Sequence, residues 1–284
     1  MSDLTPSFSQ QSAMILGCGY VGGPVARHWR SLGLRVTATT TTPDRLPELA
    51  ELCDRALCLR ADDPIALKAA LKDHEILLVC LGPRRSGIYR ETYLDSAKTI
   101  AAILPELPHL RQVIYTGSYG VYGDWGGDWI DETNPARPSN ENNQILLETE
   151  QVLLSAARSN LAVCVFRLGG ICGPGREVAH IFRSASGGVR PGSGEEWGNW
   201  IHLDDIVGAI DFARQRRLEG LFNLVHDHPL MQKDLLDRAF QKRGWPGVTW
   251  NPEATSNRSS NARVSNQKLK NAGYQFKYSD VPLE

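Results

Sequence analysis

The feature that most constrains the fold of this chain is a glycine-rich turn near its beginning, in "ILGCGYVGGPVARHW". Gly17, Gly19 and Gly22 have the spacing G-x-G-x-x-G, between an apolar run that predicts a strand and a pattern that predicts a helix. Such glycines allow a tight turn and bring the backbone close to a pyrophosphate, which the first N–H groups of the helix then face. The spacing also occurs in turns without a ligand, but this position favours dinucleotide binding by the turn, which includes Tyr20 and Val21.

Apolar runs and helical patterns alternate along the first 170 residues. Strands are predicted at AMILG, LRVTATT, RALCLRAD, EILLVCLG, RQVIYTGS and LAVCVFRL, and helices between them include 93–107 and 144–160. Strands separated by helices of about 10 to 15 residues are typical of right-handed β-α-β units. The strands are almost continuously apolar, as expected when helices cover both faces of a parallel sheet. The sequence predicts an α/β fold with a doubly wound (Rossmann) parallel sheet.

The chain beyond residue 170 alternates less regularly and is richer in Gly, Pro and Trp. We predict a dinucleotide-binding Rossmann domain over 12–170, with its sheet completed by 203–228. The ranges 171–202 and 229–284 then form a smaller C-terminal substrate domain.

Composition excludes some classes of function. A formal net charge of -1 gives no electrostatic reason to expect nucleic acid or an anionic membrane as a partner. There is no apolar run of about 18 residues and no signal-peptide pattern at the start, so we expect a cytoplasmic protein without a membrane span.

The six cysteines lack metal-ligand spacing and are interpreted as reduced core thiols. The sequence "HDH" at 226–228 favours a surface loop over a metal site, and no metal is predicted.

The residues after the second strand bear on which dinucleotide binds. NAD-specific folds place an acid there to hold the ribose hydroxyls. This chain has threonines instead, including Thr40 and Thr41, followed by Arg45. Hydroxyls and a guanidinium suit a 2′-phosphate, so NADP(H) is favoured over NAD(H), although Arg45 could equally be an exposed residue at a helix start. Asp62 is a candidate partner for the adenine amino group, or a helix N-cap.

Five segments in order carry a family resemblance: VIYTGSYGVYG, DETNPARPSN, FRLGGICGPGR, WIHLDDIVGAI and GLFNLVHD. The chain resembles the extended short-chain dehydrogenase/reductase superfamily, and within it the NAD-dependent epimerase/dehydratase family. The resemblance implies that Ser118 hydrogen-bonds the substrate and that Arg176, and less clearly Arg190, meets a substrate diphosphate. It also implies a homodimer formed by the helices near 92–104 and 143–158.

The resemblance fails at the family's Tyr-x-x-x-Lys dyad. Counted from Pro138, the tyrosine position holds Asn142 and the lysine position holds Leu146, and neither can transfer a proton near neutral pH. The chain is therefore similar to the atypical branch that keeps the cofactor turn and loses the dyad. Substitute acids or bases could be Tyr119, Tyr122, Glu141 or His202, each of which also has an ordinary structural interpretation.

Two functions stay open from the sequence. The first is an NAD(P)-binding oxidoreductase or isomerase that acts on a small polar substrate, such as a nucleotide sugar, by chemistry that does not use the dyad. The alternative is a non-catalytic NADP(H)-binding sensor or interaction protein.

Overall fold

The computed structural model describes residues 11–83, 88–256 and 258–283. Its strands and helices follow the order β1 (Ser12–Leu16), α1 (Gly22–Ser31), β2 (Arg35–Thr40), α2 (Leu46–Leu52), β3 (Arg55–Cys58), α3 (Pro64–Leu71), β4 (Ile76–Val79), α4 (Ser96–Ile103), β5 (Gln112–Ser118), β6 (Asp124–Ile130), α5 (Glu141–Leu154), β7 (Ala162–Leu168), β8 (Gly170–Cys172), α6 (Val178–Ile181), β9 (Val189–Pro191), β10 (Trp197–Gly198), β11 (Trp200–His202), α7 (Leu203–Arg216), β12 (Gly220–Leu224), β13 (Leu230–Met231), α8 (Gln232–Arg243), β14 (Thr249–Asn251), β15 (Asn261–Val264) and α9 (Gln267–Asn271). None of the described helices is both long and apolar enough to cross a membrane.

Seven parallel strands form the central sheet, in the order β12-β7-β5-β4-β1-β2-β3. The strand order reverses between β1 and β4, and the carboxyl ends of the strands meet along one edge. The predicted doubly wound α/β fold is confirmed. The edge strand β12 follows α7, within the range 203–228, whereas the division of the chain into two domains stays a prediction.

Helices cover both faces of the sheet because alternate side chains of each strand point to opposite sides. In β1, Ala13 and Ile15 pack with α1 and α7, whereas Met14 and Leu16 pack with α3 and α4. All four side chains are at most 1% exposed. This arrangement explains why the strands are apolar at almost every position.

The fifth helix is held by its cap and by a buried ion pair. The Asn140 side chain accepts a hydrogen bond from the Asn143 N–H at 2.9 Å, so α5 begins at Glu141, three residues before the predicted start. It ends at Leu154 rather than at 160, because a bridge between Arg158 and Leu161 turns the chain into β7. Inside the protein, Glu150 and Arg167 form an ion pair with side chains 3% and 5% exposed.

The same helix packs against α4. These are the two helices expected to pair between copies of the chain. The homodimer stays a prediction.

In the described ranges, four short strand pairs lie outside the seven-stranded sheet, and together with α6 and α8 we call them the smaller lobe. The pairs β8–β11, β9–β14 and β6–β15 are parallel, and β10–β13 is antiparallel. A separate core of the lobe contains Leu235, Leu236, Ala239 and Phe240 of α8.

All six cysteines are free, but Cys58 is exposed because it ends the edge strand β3, so the expectation of core thiols was wrong for that residue.

Residues 226–228 form the predicted loop after β12, but His226 within it is buried rather than on the surface. His226 is 3% exposed, and its Nε2 accepts a hydrogen bond from the His202 N–H at 2.9 Å. Burial lowers the pKa of His226 from 6.5 to about 4. The next histidine, His228, is exposed and pairs with Asp280 at 3.0 Å. No cluster of three or more His, Cys, Asp or Glu side chains that could hold a metal is found in the described ranges.

A pH-dependent stability follows from His226. Below pH 6.5 the unfolded chain binds a proton that the folded protein excludes until about pH 4, so the free energy of unfolding falls as the pH falls through this window. The slope contributed by this imidazole is about 1.4 kcal/mol per pH unit. Urea unfolding between pH 4 and 7 should show a shallower pH dependence in His226→Gln, whose amide oxygen can replace Nε2.

The matched control is His109→Gln, at an exposed histidine between α4 and β5, which should follow the wild-type curve. If the free energy of unfolding of His226→Gln varied with pH in parallel with that of wild type, His226 would not be the source of the pH dependence.

Candidate functional site

A cavity of about 800 Å³ lies at the carboxyl ends of the strands, where the strand order reverses between β1 and β4. Ligands of doubly wound folds bind at this crevice. The cavity is lined by Leu16, Gly17, Cys18, Gly19, Tyr20, Val21, Thr39, Thr40, Thr41, Arg45, Leu59, Arg60, Ala61, Asp62, Cys80, Leu81, Gly82, Ile88, Glu91, Thr92, Tyr93, Ser96, Thr116, Gly117, Ser118, Leu168, Gly169, Ile171 and Arg176.

The glycine turn forms one wall of the cavity, and its three glycines have different roles. Gly17 has φ +87°, and a Cβ there would lie 2.6 Å from the Cys80 carbonyl oxygen. A Cβ on Gly22 would lie 2.6 Å from the Gly17 carbonyl oxygen, because α1 begins directly against the sheet. A Cβ on Gly19, in contrast, would meet no described atom within 4 Å, because this residue borders the open cavity.

The helix that follows the turn has no acidic residue in its first turn and no side-chain cap. Its N-terminal N–H groups therefore carry a partial positive charge that no neighbouring carboxylate of the helix offsets. Such a helix start suits an anion.

The end of β2 supplies hydroxyl groups and one cation. The Thr39 hydroxyl is structural: it accepts from the Gly17 N–H at 3.2 Å and donates to the Ile15 carbonyl at 3.2 Å. Arg45 lines the cavity and makes a bidentate ion pair with Glu48, at 3.0 and 2.9 Å. Exposed pairs of this kind contribute about 0–1 kcal/mol, so a phosphate could recruit Arg45 at little cost.

Asp62 borders the cavity beyond β3 and is paired with Arg60. The guanidinium donates to both carboxylate oxygens, at 3.0 and 2.6 Å. These hydrogen bonds hold the pKa of Asp62 below its usual value, so the carboxylate is ionised at neutral pH. The N-cap of α3 is its neighbour Asp63, whose side chain accepts from two backbone N–H groups at 3.1 and 3.0 Å. The adenine-binding role of Asp62 stays a prediction.

Ser118 ends β5 and reaches the cavity from the opposite side of the strand-order reversal. Its hydroxyl accepts a hydrogen bond from the Gly120 N–H at 3.1 Å, which fixes the short turn over 119–122. Thr116 lines the cavity as well and donates to the Val79 carbonyl at 3.3 Å. The cavity therefore extends from Arg45 and Asp62 at one end to Ser118 at the other.

The two dyad positions are not part of the described cavity lining. Asn142 is exposed in the first turn of α5, whereas Leu146 is 5% exposed and packs inside. The buried pairing of Glu150 with Arg167 holds the helix against β7, and the assignment of Asn142 and Leu146 to the dyad positions stays a prediction. No ionisable side chain occupies either dyad position.

Three of the four candidate substitutes have structural partners in the described ranges. Tyr122 is fully buried and donates to the Asn223 side chain at 3.0 Å, and burial raises the pKa of its phenol. His202 caps α7 by accepting from the Asp204 N–H at 3.1 Å. Tyr119 lies 3.5 Å from Arg258 and does not line the cavity. Glu141 is exposed at the start of α5, so the catalytic roles of Tyr119 and Glu141 stay predictions without a contact that supports them.

Sequence reasoning missed a wall of the cavity between β4 and α4. Glu91, Thr92, Tyr93 and Ser96 line it, and 91–95 form a π-helical turn, a feature frequent at functional sites. Burial raises the pKa of Tyr93, so this phenol is neutral at ordinary pH. The predicted topology could have identified this wall, because the loop after the fourth strand of a doubly wound sheet borders the crevice.

Comparisons with known proteins agree with this arrangement. Residues 13–224 match the family model described as the NAD dependent epimerase/dehydratase family. "Protein YeeZ" of Escherichia coli (strain K12) is 31% identical over 217 residues, which cover 74% of this chain and 76% of that protein.

Two solved structures share the fold. A functionally unknown conserved protein from Silicibacter pomeroyi DSS has a TM-score of 0.78 at 24% identity, covering 96% of this chain and 95% of that one. The dTDP-glucose 4,6-dehydratase of Bacillus anthracis str. Ames, in complex with NAD, has a TM-score of 0.78 at 16% identity, covering 95% and 92%.

The glycine turn gives a matched pair of substitutions. Gly17→Ala should lower the free energy of unfolding by about 1–3 kcal/mol or more, because it adds backbone strain and a clash with Cys80. Gly19→Ala should leave stability within about 0.5 kcal/mol of wild type. Its methyl group would occupy the place where a pyrophosphate approaches the backbone, so the Kd for a dinucleotide should rise at least about tenfold.

Urea unfolding and fluorescence titration with NADPH and NADH measure the two effects. If Gly19→Ala bound the dinucleotide as tightly as wild type does, the dinucleotide would not bind beside Gly19.

Proposed function

This chain belongs to the NAD-dependent epimerase/dehydratase family, and from that premise we propose that it binds NADP(H) in the cavity beside the glycine turn and acts as an oxidoreductase or isomerase on a small polar substrate. The observation that carries the proposal is the bare Gly19 backbone, which faces an 800 Å³ cavity at the strand-order reversal. That volume is in the range of ligand pockets.

The choice of NADP(H) is supported by the charges at the end of β2. Within the described part of the cavity, the end of β2 and the start of α2 contribute Thr40, Thr41 and Arg45, and no carboxylate there lines the wall. A guanidinium favours a 2′-phosphate, whereas NAD-binding sites use an acid at this place to hold ribose hydroxyls.

The chemistry proposed for the site depends on few protein groups. A bound nicotinamide supplies a hydride donor or acceptor. Ser118, at the end of the cavity away from Arg45, would hydrogen-bond the substrate oxygen and orient it. Nucleotide sugars are the substrate class we favour, because the Bacillus anthracis neighbour of the same fold is named for one.

One observation favours a second function. Asn142 and Leu146 leave no proton-transferring pair on α5, and general acid–base catalysis is worth about 10²- to 10⁴-fold. A protein that binds NADP(H) without turnover would act as a cofactor-dependent sensor or interaction protein.

A turnover screen separates the two functions. Purified protein is mixed with NADPH or NADP⁺ and a panel of nucleotide sugars and small carbonyl compounds, and absorbance at the nicotinamide band is followed alongside product analysis. Substrate-dependent turnover that is lost in Ser118→Ala supports the enzyme. Binding of NADPH without turnover across the panel supports the sensor.

The preference for NADP(H) predicts opposite effects from two neighbouring substitutions. Arg45→Ala should raise the Kd for NADPH about tenfold, because it removes a charge-assisted contact to the 2′-phosphate. Glu48→Gln should lower that Kd, because it removes the carboxylate that competes for Arg45.

Neither variant should change the Kd for NADH by more than about twofold, since NADH lacks the 2′-phosphate and no contact to Arg45 is lost. Wild-type protein that binds NADH at least about tenfold more tightly than NADPH would refute the preference.

A further inference from the structure

Arg176 lies against the glycine turn, although it belongs to the loop after β8. Its guanidinium carbon is 5.3 Å from the centre of the Tyr20 ring. The Tyr20 hydroxyl donates to the Pro174 carbonyl at 3.1 Å, which ties the turn to the same loop. Arg176 and Tyr20 both line the cavity.

The backbone of this loop is fixed where it meets Tyr20. The Arg176 N–H donates to the Gly173 carbonyl at 2.8 Å and closes a tight turn. Gly173 has φ +142°, and a Cβ there would lie 3.0 Å from the Tyr20 hydroxyl oxygen. The position of Arg176 over the glycine turn is therefore determined by backbone contacts as well as by its own side chain.

Arg176 differs from the other two arginines of the described cavity lining in its lack of a paired carboxylate. Arg45 and Arg60 each make a bidentate pair with a carboxylate. Over residues 11–83, 88–256 and 258–283, no carboxylate is paired with Arg176, and its side-chain hydrogen bond there is a long one from Nε to the Ile171 carbonyl at 3.4 Å. Arg176 lines the cavity, so its guanidinium is available to pair with an anion bound there.

We propose that Arg176 binds the pyrophosphate of the dinucleotide, and that the loop at 173–176 is part of the cofactor site. This differs from the role implied by the family resemblance, in which Arg176 meets a substrate diphosphate. The reason is its place beside Tyr20 of the glycine turn, where a pyrophosphate approaches the backbone. The inference rests on the proposed function, since it requires that a dinucleotide binds.

Two ligands separate a pyrophosphate contact from other effects. NADPH carries both the pyrophosphate and the 2′-phosphate, whereas adenosine 2′-monophosphate carries only the latter. Binding of NADPH is measured by its fluorescence, and binding of the fragment by calorimetry. The variants are Arg176→Ala, Arg176→Lys and the control Arg183→Ala, an exposed arginine of the same lobe that packs over Trp245 and does not line the cavity.

Arg176→Ala should weaken NADPH binding about ten- to a hundredfold, as expected for a lost hydrogen bond to a charged group. Its affinity for adenosine 2′-monophosphate should be unchanged. Arg176→Lys should be intermediate, because the charge is kept and the two-pronged geometry is lost. Arg183→Ala should match wild type with both ligands, and thermal melts should show that all three variants fold.

Two results would overturn the inference alone: NADPH binding by Arg176→Ala as tight as wild type, or an equal loss for both ligands. Wild-type protein that binds neither NADPH nor NADH would instead overturn the proposed function. The two failures are therefore distinguishable.

Discussion

The close approach of the first turn to the fourth strand is the constraint on which the site depends. Gly17 lies so near the Cys80 carbonyl, and Gly22 so near the Gly17 carbonyl, that neither position has room for a Cβ. Because the backbone packs this tightly, α1 begins against the sheet and its N-terminus faces the crevice between β1 and β4. The cavity exists where it does because these two side chains are absent.

A second interaction holds α5 in place independently of the two positions predicted to replace the family's dyad. Glu150 and Arg167 pair in the interior between α5 and β7, and Arg167 also lies 4.3 Å from the centre of the buried Tyr122 ring. Breaking such a pair typically costs about 3–5 kcal/mol, because one charge is left buried alone. Asn142 and Leu146 take no part in it, so the position of the helix does not require a tyrosine or a lysine there.

The three arginines of the described cavity lining differ in their ion pairs. Arg45 and Arg60 are each held by a carboxylate close in sequence, whereas Arg176 comes from a loop more than 150 residues beyond the glycine turn. A cofactor that contacts both the turn and this loop would join the sheet to the smaller lobe. The site therefore depends on residues from both the beginning and the second half of the chain.

The sequence by itself determined the glycine turn, the order of strands and helices and the apolar faces, because these depend on neighbouring residues and on the local geometry of the backbone. Tertiary structure decided which residues meet at the site. Tyr93 lines the cavity from a π-helical turn. His226, expected on the surface, is buried and accepts a hydrogen bond from the His202 N–H. Burial and charge pairing depend on residues that are distant in sequence. For example, the Trp29 indole N–H donates to the Asp211 carboxylate at 3.0 Å. No local sequence pattern indicates that two such distant residues meet.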